Sequence, residues 1–393
     1  MNIAYILNST LPSGGATKSF LAMLKGLMNE GISPIVIIPD KEGIYPDLVS
    51  MQIPTYVVPF RMNTFPDARS VSDYLLWPLR LLARIIANKR AAVKITKFLS
   101  DKKIDIIHSN VSLLTVGYQA ARQLHKPHVF HIREYVDKDF HMHYIPTHGH
   151  LERRLQSDST YTVCITKDIQ RHHGLASSPR SRVIYNGIKP RAELIPYVQK
   201  KNYLLFAGRI EPAKGVSELL EGYARYTRLV KEPLPIYLAG AVTQSQYLAE
   251  LNRFIEQHRI SHLVTFLGDR NDIELLMQEA TAIVIPSRFE AFGRCMAEAM
   301  FNGCLVIGKN TGGTKEQMDN GLNLEGKEIA LRYETPERLS QLLAETTSNI
   351  NDYRDYTLRA FHTVNQLYST ETNIQQVADF YGTILQKEST HHK

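Results

Sequence analysis

Short apolar runs alternate with longer segments of helical periodicity along the chain. The apolar run at residues 2–7 is followed by a helical pattern that begins at Ser19 and ends near Gly31. Similar runs recur through the first half, several of them with polar residues at their carboxyl ends. This alternation is typical of a parallel β-sheet with crossover helices. Strands are predicted in this half at residues 2–7, 33–39, 104–110, 128–132 and 161–166.

The alternation restarts after residue 201. Strands are predicted in the second half at residues 202–209, 235–240, 264–268, 282–287 and 305–310. Asn-Gly and Pro within residues 186–190 favour a hinge between the halves. At roughly 150 residues per domain, a chain of 393 residues accommodates two or three domains. We predict an α/β protein with domains at residues 1–188 and 189–370, and a helix at 371–393 that returns to the first domain.

The composition excludes several classes of protein. Hydrophobic residues make up 44% and charged residues 22% of the chain, which is ordinary for a globular protein. The three cysteines are too few and odd in number for a disulfide framework. No Cys-x-x-Cys pair occurs, so no zinc cluster is expected. The amino terminus lacks a signal-peptide pattern, which predicts a cytoplasmic protein. The net charge of +7 favours anionic partners, but no nucleic-acid-binding motif is present.

Residues 74–103 form a basic segment that contains eight Lys or Arg and a single acid, Asp101. Apolar residues recur there at helical spacing at Leu75, Leu79, Leu82 and Ile86. Pro78 is expected in the first helical turn, where its missing N–H is harmless. Such a helix could lie on the inner face of an anionic membrane, with residues 75–77 inserted. An ordinary surface helix with a solvated basic face has the same pattern, and both interpretations stay open.

A first glycine loop, residues 13–19, joins a predicted strand to a predicted helix. Backbone N–H groups at such a position, here near Gly15 and Ala16, can bind a phosphate. The loop matches neither the dinucleotide motif nor the Gly-Lys-Ser/Thr phosphate motif. A simple tight turn explains it equally well.

A second loop, residues 207–215, follows the first predicted strand of the second half. Arg209 and Lys214 lie five residues apart in it. Two cations at a strand end can grip a diphosphate from both sides, with the arginine in bidentate fashion. The alternative is a pair of solvated surface charges, which the strand-end placement and flanking glycines disfavour.

The third segment, residues 286–316, carries Glu290 and Glu298, which are separated by seven residues, and is expected to enter a helix near Gly293. Glu290 would then lie in the loop at the mouth of the helix, and Glu298 one to two turns inside. The N–H groups expected to face a bound phosphate are those of Phe292, Gly293 and Arg294. The loop carboxylate can accept hydrogen bonds from sugar hydroxyls, and the deeper one can hold a ribose diol.

The segments AGRIEPAKG (207–215), EAFGRCMAE (290–298) and NTGGTKE (310–316) resemble glycosyltransferase family 4. The resemblance implies the GT-B fold, in which two Rossmann-like domains face each other across a central cleft. It implies retaining transfer of a hexosyl or N-acetylhexosaminyl unit from a nucleoside-diphosphate sugar, such as a UDP-sugar, to an acceptor hydroxyl. No metal or other cofactor is implied. The acceptor would be a sugar or lipid-linked sugar in bacterial cell-surface polysaccharide or glycolipid assembly.

The resemblance also assigns roles to individual residues. Arg209 and Lys214 would bind the donor diphosphate, Glu290 the transferred sugar and Glu298 the nucleotide ribose. His131, at the end of a predicted strand, matches the histidine that lies near the sugar in this family. The catalytic set implied is His131, Arg209, Lys214 and Glu290. The additional donor-binding residues implied are Gly15, Ala16, Phe292, Gly293, Arg294 and Glu298.

Several alternatives stay open. A nucleotide-sugar epimerase of the same fold would use the donor without an acceptor, and a non-catalytic partner of another transferase would only bind it. A dinucleotide dehydrogenase is disfavoured because neither half opens with G-x-G-x-x-G. Asp137 and Asp139 spell the Asp-x-Asp that holds a divalent metal in another glycosyltransferase fold, but they lie in a charged loop. Cys295 and Cys304 are interpreted as small core residues, not nucleophiles.

Overall fold

The chain folds into two compact units in a computed structural model. Unit 1 contains Met1–Gly187 and Thr370–Lys393, and unit 2 contains Ile188–Ser369. The divisions expected from the sequence lay after residues 188 and 370. The structure describes residues 1–8, 15–65, 71–140, 143–195 and 199–391.

Unit 1 is built on a seven-stranded parallel sheet in the order β3-β2-β1-β4-β5-β6-β7. Its strands are β1 (Asn2–Ile6), β2 (Ser33–Ile38), β3 (Thr55–Val57), β4 (Ile106–Ser109), β5 (His128–Ile132), β6 (Thr160–Cys164) and β7 (Ser181–Val183). Residues of β4, β5 and β6 are all buried, as expected for a sheet that is covered on both faces. Five strands lie where the apolar runs predicted them. The three-residue strands β3 and β7 were not predicted, because so short a strand carries little periodicity.

Helices connect the strands of unit 1. In the described residues they are α1 (Gly15–Asn29), α2 (Tyr45–Ser50), α3 (Val71–Leu99), α4 (Thr115–Leu124), α5 (Asp137–Phe140), α6 (His148–Leu155) and α7 (Lys167–His172). α1 begins four residues before the Ser19 that the periodicity indicated. The buried ring of Tyr5 meets Phe20 edge to face, with centroids 5.5 Å apart, and this contact joins α1 to the sheet.

Unit 2 repeats the architecture with a six-stranded parallel sheet in the order β10-β9-β8-β11-β12-β13. Its strands are β8 (Leu204–Ala207), β9 (Ile236–Ala239), β10 (Val264–Gly268), β11 (Ala282–Ile285), β12 (Leu305–Lys309) and β13 (Leu331–Tyr333). Its helices are α8 (Val216–Leu229), α9 (Ser245–Gln257), α10 (Ile273–Glu279), α11 (Arg294–Phe301), α12 (Gly312–Glu325), α13 (Pro336–Ser348) and α14 (Arg354–Leu367). The predicted strands are confirmed, and only the three-residue β13 was missed. Two doubly wound units of this kind are the GT-B architecture.

The last helix, α15 (Thr370–His391), folds with unit 1. Val377, Phe380 and Tyr381 are buried in the core of that unit. At Gly26 of α1, a Cβ atom would lie 1.8 Å from Ile374 Cδ1, so the two helices approach closely because this position has no side chain. Helix α15 therefore contributes to the same hydrophobic core of unit 1 as β1 and α1.

α3 has two different halves. Its carboxyl half buries Ala91, Ala92 and Ile95, whereas Leu75 and Leu79 in its amino half are 76% and 66% exposed. The expected position of Pro78 was wrong. The helix already runs from Val71, so Pro78 lies in its interior, where the ring removes one backbone hydrogen bond.

The apolar surface of α3 is continuous along the amino half. Exposed large apolar residues occur at Val71, Tyr74, Leu75, Leu79, Leu82 and Ile86. Trp77 was one of the residues expected to insert into a membrane. Its ring instead stacks on Phe65, with ring centroids 4.5 Å apart. In the described part of the chain, no helix combines the length and apolarity that crossing a bilayer requires.

Candidate functional site

In unit 2 the strand order reverses between β8 and β11, which lie side by side. Open α/β sheets bind ligands at such a switch point, outside the carboxyl ends of the strands, because the two following loops diverge there. The loop after β8 carries Arg209 and Lys214, and the loop after β11 carries Glu290. The topology thus brings the two most specific sequence segments to one edge of one sheet.

Lys214 and Glu290 form an ion pair between these two loops. Lys214 Nζ donates to Glu290 Oε1 at 2.6 Å, and the two side chains are 23% and 17% exposed. Arg209 is more open, with 61% of its side chain exposed, and its guanidinium lies 3.1 Å from a Glu211 carboxylate oxygen. Each cation predicted to bind phosphate therefore has a carboxylate neighbour, with which a diphosphate would compete.

Gly215 is the residue that lets the Lys214 loop lie against the β11 loop. It has φ +71°, in the left-handed region, at the end of a 3-10 turn that covers Pro212–Lys214. A Cβ atom there would lie 2.0 Å from the carbonyl oxygen of Pro286. Any side chain at this position would therefore push the Lys214 turn away from the strand end that leads to Glu290.

Helix α11 starts at the mouth of this site, as the sequence indicated. Gly293 occupies its N-cap position with φ +85°, and glycine has no side chain with which to cap the helix. Backbone N–H groups and the positive end of the helix dipole make such a start suitable for an anion. Glu298 lies one turn inside, 29% exposed, and accepts a hydrogen bond from Arg294 Nη2 at 3.0 Å.

The loop that carries Glu290 is held from behind by the start of α12. Gly313 N donates to the Glu290 carbonyl at 2.7 Å, and the Thr311 hydroxyl donates to the Ser287 carbonyl at 3.1 Å. The buried Gln317 amide donates to the carbonyl oxygens of Phe292 at 2.5 Å and Gly293 at 3.0 Å. Neither Thr311 nor Gln317 is predicted from the sequence as part of the site; the local signal that could have indicated a close backbone approach here is the neighbouring Gly-Gly pair, residues 312–313.

Cys295 ties α11 to β8. Its Sγ donates to the carbonyl of Ala207 at 3.2 Å, and burial raises the pKa of the thiol well above its usual range. Glu298 and Glu290 raise it further, while Lys214 acts in the opposite direction. These three charged groups thus surround one thiol, which stays protonated and is unsuited to be a nucleophile.

In unit 1, His131 lies at the carboxyl end of β5 and is only 1% exposed. Its Nδ1 is 3.4 Å from Arg133 Nη2. Arg133 is itself buried, and its guanidinium donates to the side-chain oxygens of Asn110 at 3.1 Å and Asn186 at 2.6 Å. Burial and the Arg133 charge both lower the pKa of His131 well below its usual range, so the imidazole is neutral.

The remaining predicted positions are less informative. Gly15 and Ala16 lie in the first turn of α1, but residues 9–14, which include the first two residues of the first glycine loop, lie outside the described residues. Asp137 bonds to His172 Nε2 at 2.9 Å, and no cluster with metal-binding geometry is found in the ranges described. A cavity of about 450 Å³ in unit 2 is lined by residues of α8 and α13 and by Arg288, and contains none of the predicted donor residues.

Two family models match the chain, one on each half. Residues 13–191 match Glycosyltransferase Family 4, and residues 194–357 match Glycosyl transferases group 1. The chain belongs to the family 4 glycosyltransferases. The matched ranges include every predicted site residue, from Gly15 to Glu298.

Curated relatives match shorter segments. A glycogen synthase of Mycobacterium tuberculosis is 32% identical over 120 residues, which are 30% of this chain and 28% of that protein. An uncharacterized glycosyltransferase of Methanocaldococcus jannaschii is 29% identical over 188 residues, 42% of this chain and 47% of that protein. The matches therefore span less than half the length of these relatives.

Solved structures match the whole fold. The Anabaena protein Alr3699/HepE in complex with UDP superposes with a TM-score of 0.76 and 20% identity, over 98% of this chain and all of that one. Other structures of the same Anabaena protein hold UDP with glucose, or UDP-glucose. At this identity the likeness concerns the fold alone, and it agrees with the GT-B architecture.

Proposed function

We propose that this chain is a retaining glycosyltransferase that moves a hexosyl or N-acetylhexosaminyl unit from a nucleoside-diphosphate sugar to an acceptor hydroxyl. The observation that carries the proposal is the set of groups at the β8/β11 switch point: Arg209, Lys214, Glu290, the start of α11 and Glu298. Cations and a helix start suit a diphosphate, and carboxylates suit the hydroxyls on either side of it.

The main catalytic requirement of this reaction is stabilisation of the leaving group. As the bond between the sugar and the diphosphate breaks, negative charge develops on the leaving oxygen. Lys214, Arg209 and the α11 N–H groups would stabilise that charge, and loss of one such donor typically lowers the rate ~10²–10³-fold. The departing diphosphate would take up the proton of the acceptor hydroxyl, which removes the need for a separate base on the protein.

Retention in a glycosidase uses two carboxyl groups about 5–5.5 Å apart, one of them a nucleophile. Glu290 is instead paired with Lys214 and Glu298 with Arg294, so each carboxylate is oriented as a hydrogen-bond acceptor. We assign Glu290 to hydroxyls of the transferred sugar and Glu298 to the ribose. Front-face attack by the acceptor on the side of the leaving group would then account for retention.

We propose UDP-sugars as the donors. The Anabaena protein of the same fold binds UDP and UDP-glucose in its solved structures. No metal is needed in this scheme, since Arg209, Lys214 and the helix start carry the positive charge. In this proposal, hydrogen bonds between Glu290 and the hydroxyls of the transferred sugar determine which sugar the site accepts.

We propose a lipid-linked acceptor at the cytoplasmic face of a membrane, as in assembly of a cell-surface polysaccharide. The exposed apolar side chains in the amino half of α3, beside exposed basic residues such as Lys89 and Arg90, support this assignment. Apolar side chains would enter the interface, and basic ones would attract anionic lipid at ~1 kcal/mol each, screened by salt.

A donor screen tests the proposed reaction. The full chain would be incubated with a panel of UDP-, GDP- and ADP-sugars, with and without polyprenyl-diphosphate-linked sugars, and nucleoside diphosphate release measured. Release that requires one donor and an acceptor, with an α-linked product from an α-linked donor, is expected. Conversion of the donor to another sugar without acceptor would establish an epimerase instead, and tight binding without turnover would establish a non-catalytic protein.

A further inference from the structure

Gln317, in the second turn of α12, is a buried glutamine whose side-chain amide bonds to the loop that carries Glu290. Its Nε2 donates to the carbonyl oxygens of Phe292 at 2.5 Å and of Gly293 at 3.0 Å. The amide nitrogen has two N–H donors, and here both have an acceptor. An amide oxygen in the same place would face two other oxygens, so the orientation of this amide follows from its surroundings.

The direction of these two carbonyl groups decides where the neighbouring N–H groups point. A trans peptide is planar, and its C=O and N–H groups point in opposite directions. Because the Phe292 carbonyl is held toward Gln317, the N–H of Gly293 faces away from α12. The Gly293 carbonyl, which also accepts from Met296 N at 3.1 Å, turns the Arg294 N–H away from Gln317 in the same manner. Gln317 therefore orients two successive N–H groups at the start of α11.

Two buried polar atoms of α12 beside this loop, Gln317 Oε1 and Thr314 Oγ1, have no hydrogen-bond partner in the described part of the chain. A buried acceptor without a donor is unfavourable for folding, and an apolar side chain of similar size at position 317 would avoid it. What glutamine contributes here, and what an apolar residue cannot, is the pair of bonds from its Nε2 to the β11 loop.

Gly293 lets α12 approach the loop closely. A Cβ atom at Gly293 would lie 3.1 Å from Gln317 Nε2 and 3.5 Å from Thr314 Oγ1, and the residue has φ +85°. A side chain here would press against the amide that holds the loop. Glycine also populates many backbone conformations, so the peptide can rotate once the bonds to Gln317 are lost.

The two sides of the β11 loop have different neighbours. The Glu290 carbonyl accepts from Gly313 N of α12 at 2.7 Å, whereas its carboxylate accepts from Lys214 Nζ at 2.6 Å, on the loop that follows β8. α12 therefore holds the loop from one side and leaves the N–H groups at the start of α11 for a ligand.

We propose that Gln317 is a positioning residue that presents the N–H of Gly293, and with it that of Arg294, to an oxygen of the donor diphosphate. The identity of the ligand rests on the proposed transfer reaction, whereas the orientation of the peptide does not. Gln317 acts through two carbonyl groups and does not touch the ligand. Without it, a rotated peptide would turn a carbonyl oxygen, in place of an N–H, toward the phosphate.

The bond from Gln317 can be tested at a single peptide, because Phe292 and Gly293 form the one Phe-Gly pair in the sequence. In the full chain labelled with carbonyl carbon-13 phenylalanine and nitrogen-15 glycine, a carbonyl–amide correlation spectrum therefore contains one signal. We expect Gln317→Met to change the carbonyl frequency of this signal without ligand. The control Gln257→Met, on the exposed surface of α9, should leave it unchanged. An unchanged frequency in Gln317→Met overturns the inference whatever the enzyme activity.

UDP and uridine, which lacks phosphate, test the contact with the diphosphate. In the wild-type chain UDP should shift the Gly293 amide signal and uridine should not; no shift with UDP, or an equal shift with both, refutes the contact. In calorimetric titrations, Gln317→Met and Gln317→Leu should bind UDP about tenfold more weakly than the wild type, as expected for one hydrogen bond to a charged group.

Uridine affinity should stay unchanged in both variants, which also shows that unit 2 has folded. Equal loss of UDP and uridine binding would make Gln317 a purely structural residue and overturn the proposal. Absence of sugar transfer from every donor, with the UDP-dependent shift and the affinity difference intact, contradicts only the proposed function.

Discussion

Replacing Glu290 by Gln should separate nucleotide binding from sugar transfer. The amide keeps the size of the side chain and an acceptor oxygen, but it removes the charge that Lys214 faces at 2.6 Å. Lys214 would then engage a phosphate without competition. We expect UDP to bind Glu290→Gln as tightly as it binds the wild-type protein, or more tightly. Turnover should fall by ~10²-fold, because the carboxylate that orients the sugar is lost.

The size of the binding effect follows from the environment of the ion pair. Lys214 and Glu290 are 23% and 17% exposed, so the pair is only partly solvated. A hydrogen bond to a charged group contributes ~1.5–3 kcal/mol in such a place, and the Gln oxygen retains part of it. A net gain of ~1 kcal/mol for Lys214 and phosphate corresponds to roughly fivefold tighter binding of UDP.

Calorimetry with UDP, and steady-state kinetics on the same preparations, measure the two effects. Glu345→Gln is a matched control, because Glu345 is half-exposed and pairs with Arg338 on the surface of α13 in the same unit. It should change neither quantity. If Glu290→Gln weakens UDP binding more than tenfold while turnover stays near wild type, the roles proposed for the β11 loop are wrong.

The remaining predictions concern the other cations, the second carboxylate and α3. Arg209→Ala and Lys214→Ala should each lower turnover ~10²-fold or more, because both stabilise the leaving group; turnover within threefold of wild type in both would remove that assignment. Glu298→Gln should weaken UDP binding and turnover together, which calorimetry and kinetics would show, and intact UDP binding would contradict a ribose contact. The chain should float with anionic vesicles at low salt, and Leu75→Gln with Leu79→Gln should abolish flotation; no change would leave α3 a solvated surface helix.

The sequence alone determined the longer strands of both sheets and the segments that carry the chemistry. Buried parallel strands are continuous apolar runs, and such runs are visible without any knowledge of their neighbours. Strand-end loops are equally local, so Arg209, Lys214 and Glu290 were found where the apolar runs stop. The helix start at Gly293 was predicted for the same reason, because a glycine between a loop and a helical pattern is a local signal.

Only the tertiary structure decided which groups meet. Lys214 and Glu290 are 76 positions apart, and Arg133 and Asn186 are 53 apart, so no periodicity relates them. In the sequence, Gln317 looks like an ordinary helix residue. Only the fold brings its amide to the carbonyl oxygens of two residues in the β11 loop, to which it donates. Arg133 has the sequence pattern of a surface charge, but the fold buries it and brings Asn110, after β4, and Asn186, after β7, to its guanidinium.

The same limit explains why the sequence could not distinguish the two halves of α3. Its sequence has apolar positions all along one helical stripe, and local periodicity cannot tell a stripe that is covered from one that is exposed. The carboxyl half of α3 packs on unit 1, whereas Leu75 and Leu79 do not, and Trp77 finds Phe65 from another segment. Burial depends on what the rest of the chain places opposite a helix, and that is decided by packing between distant segments.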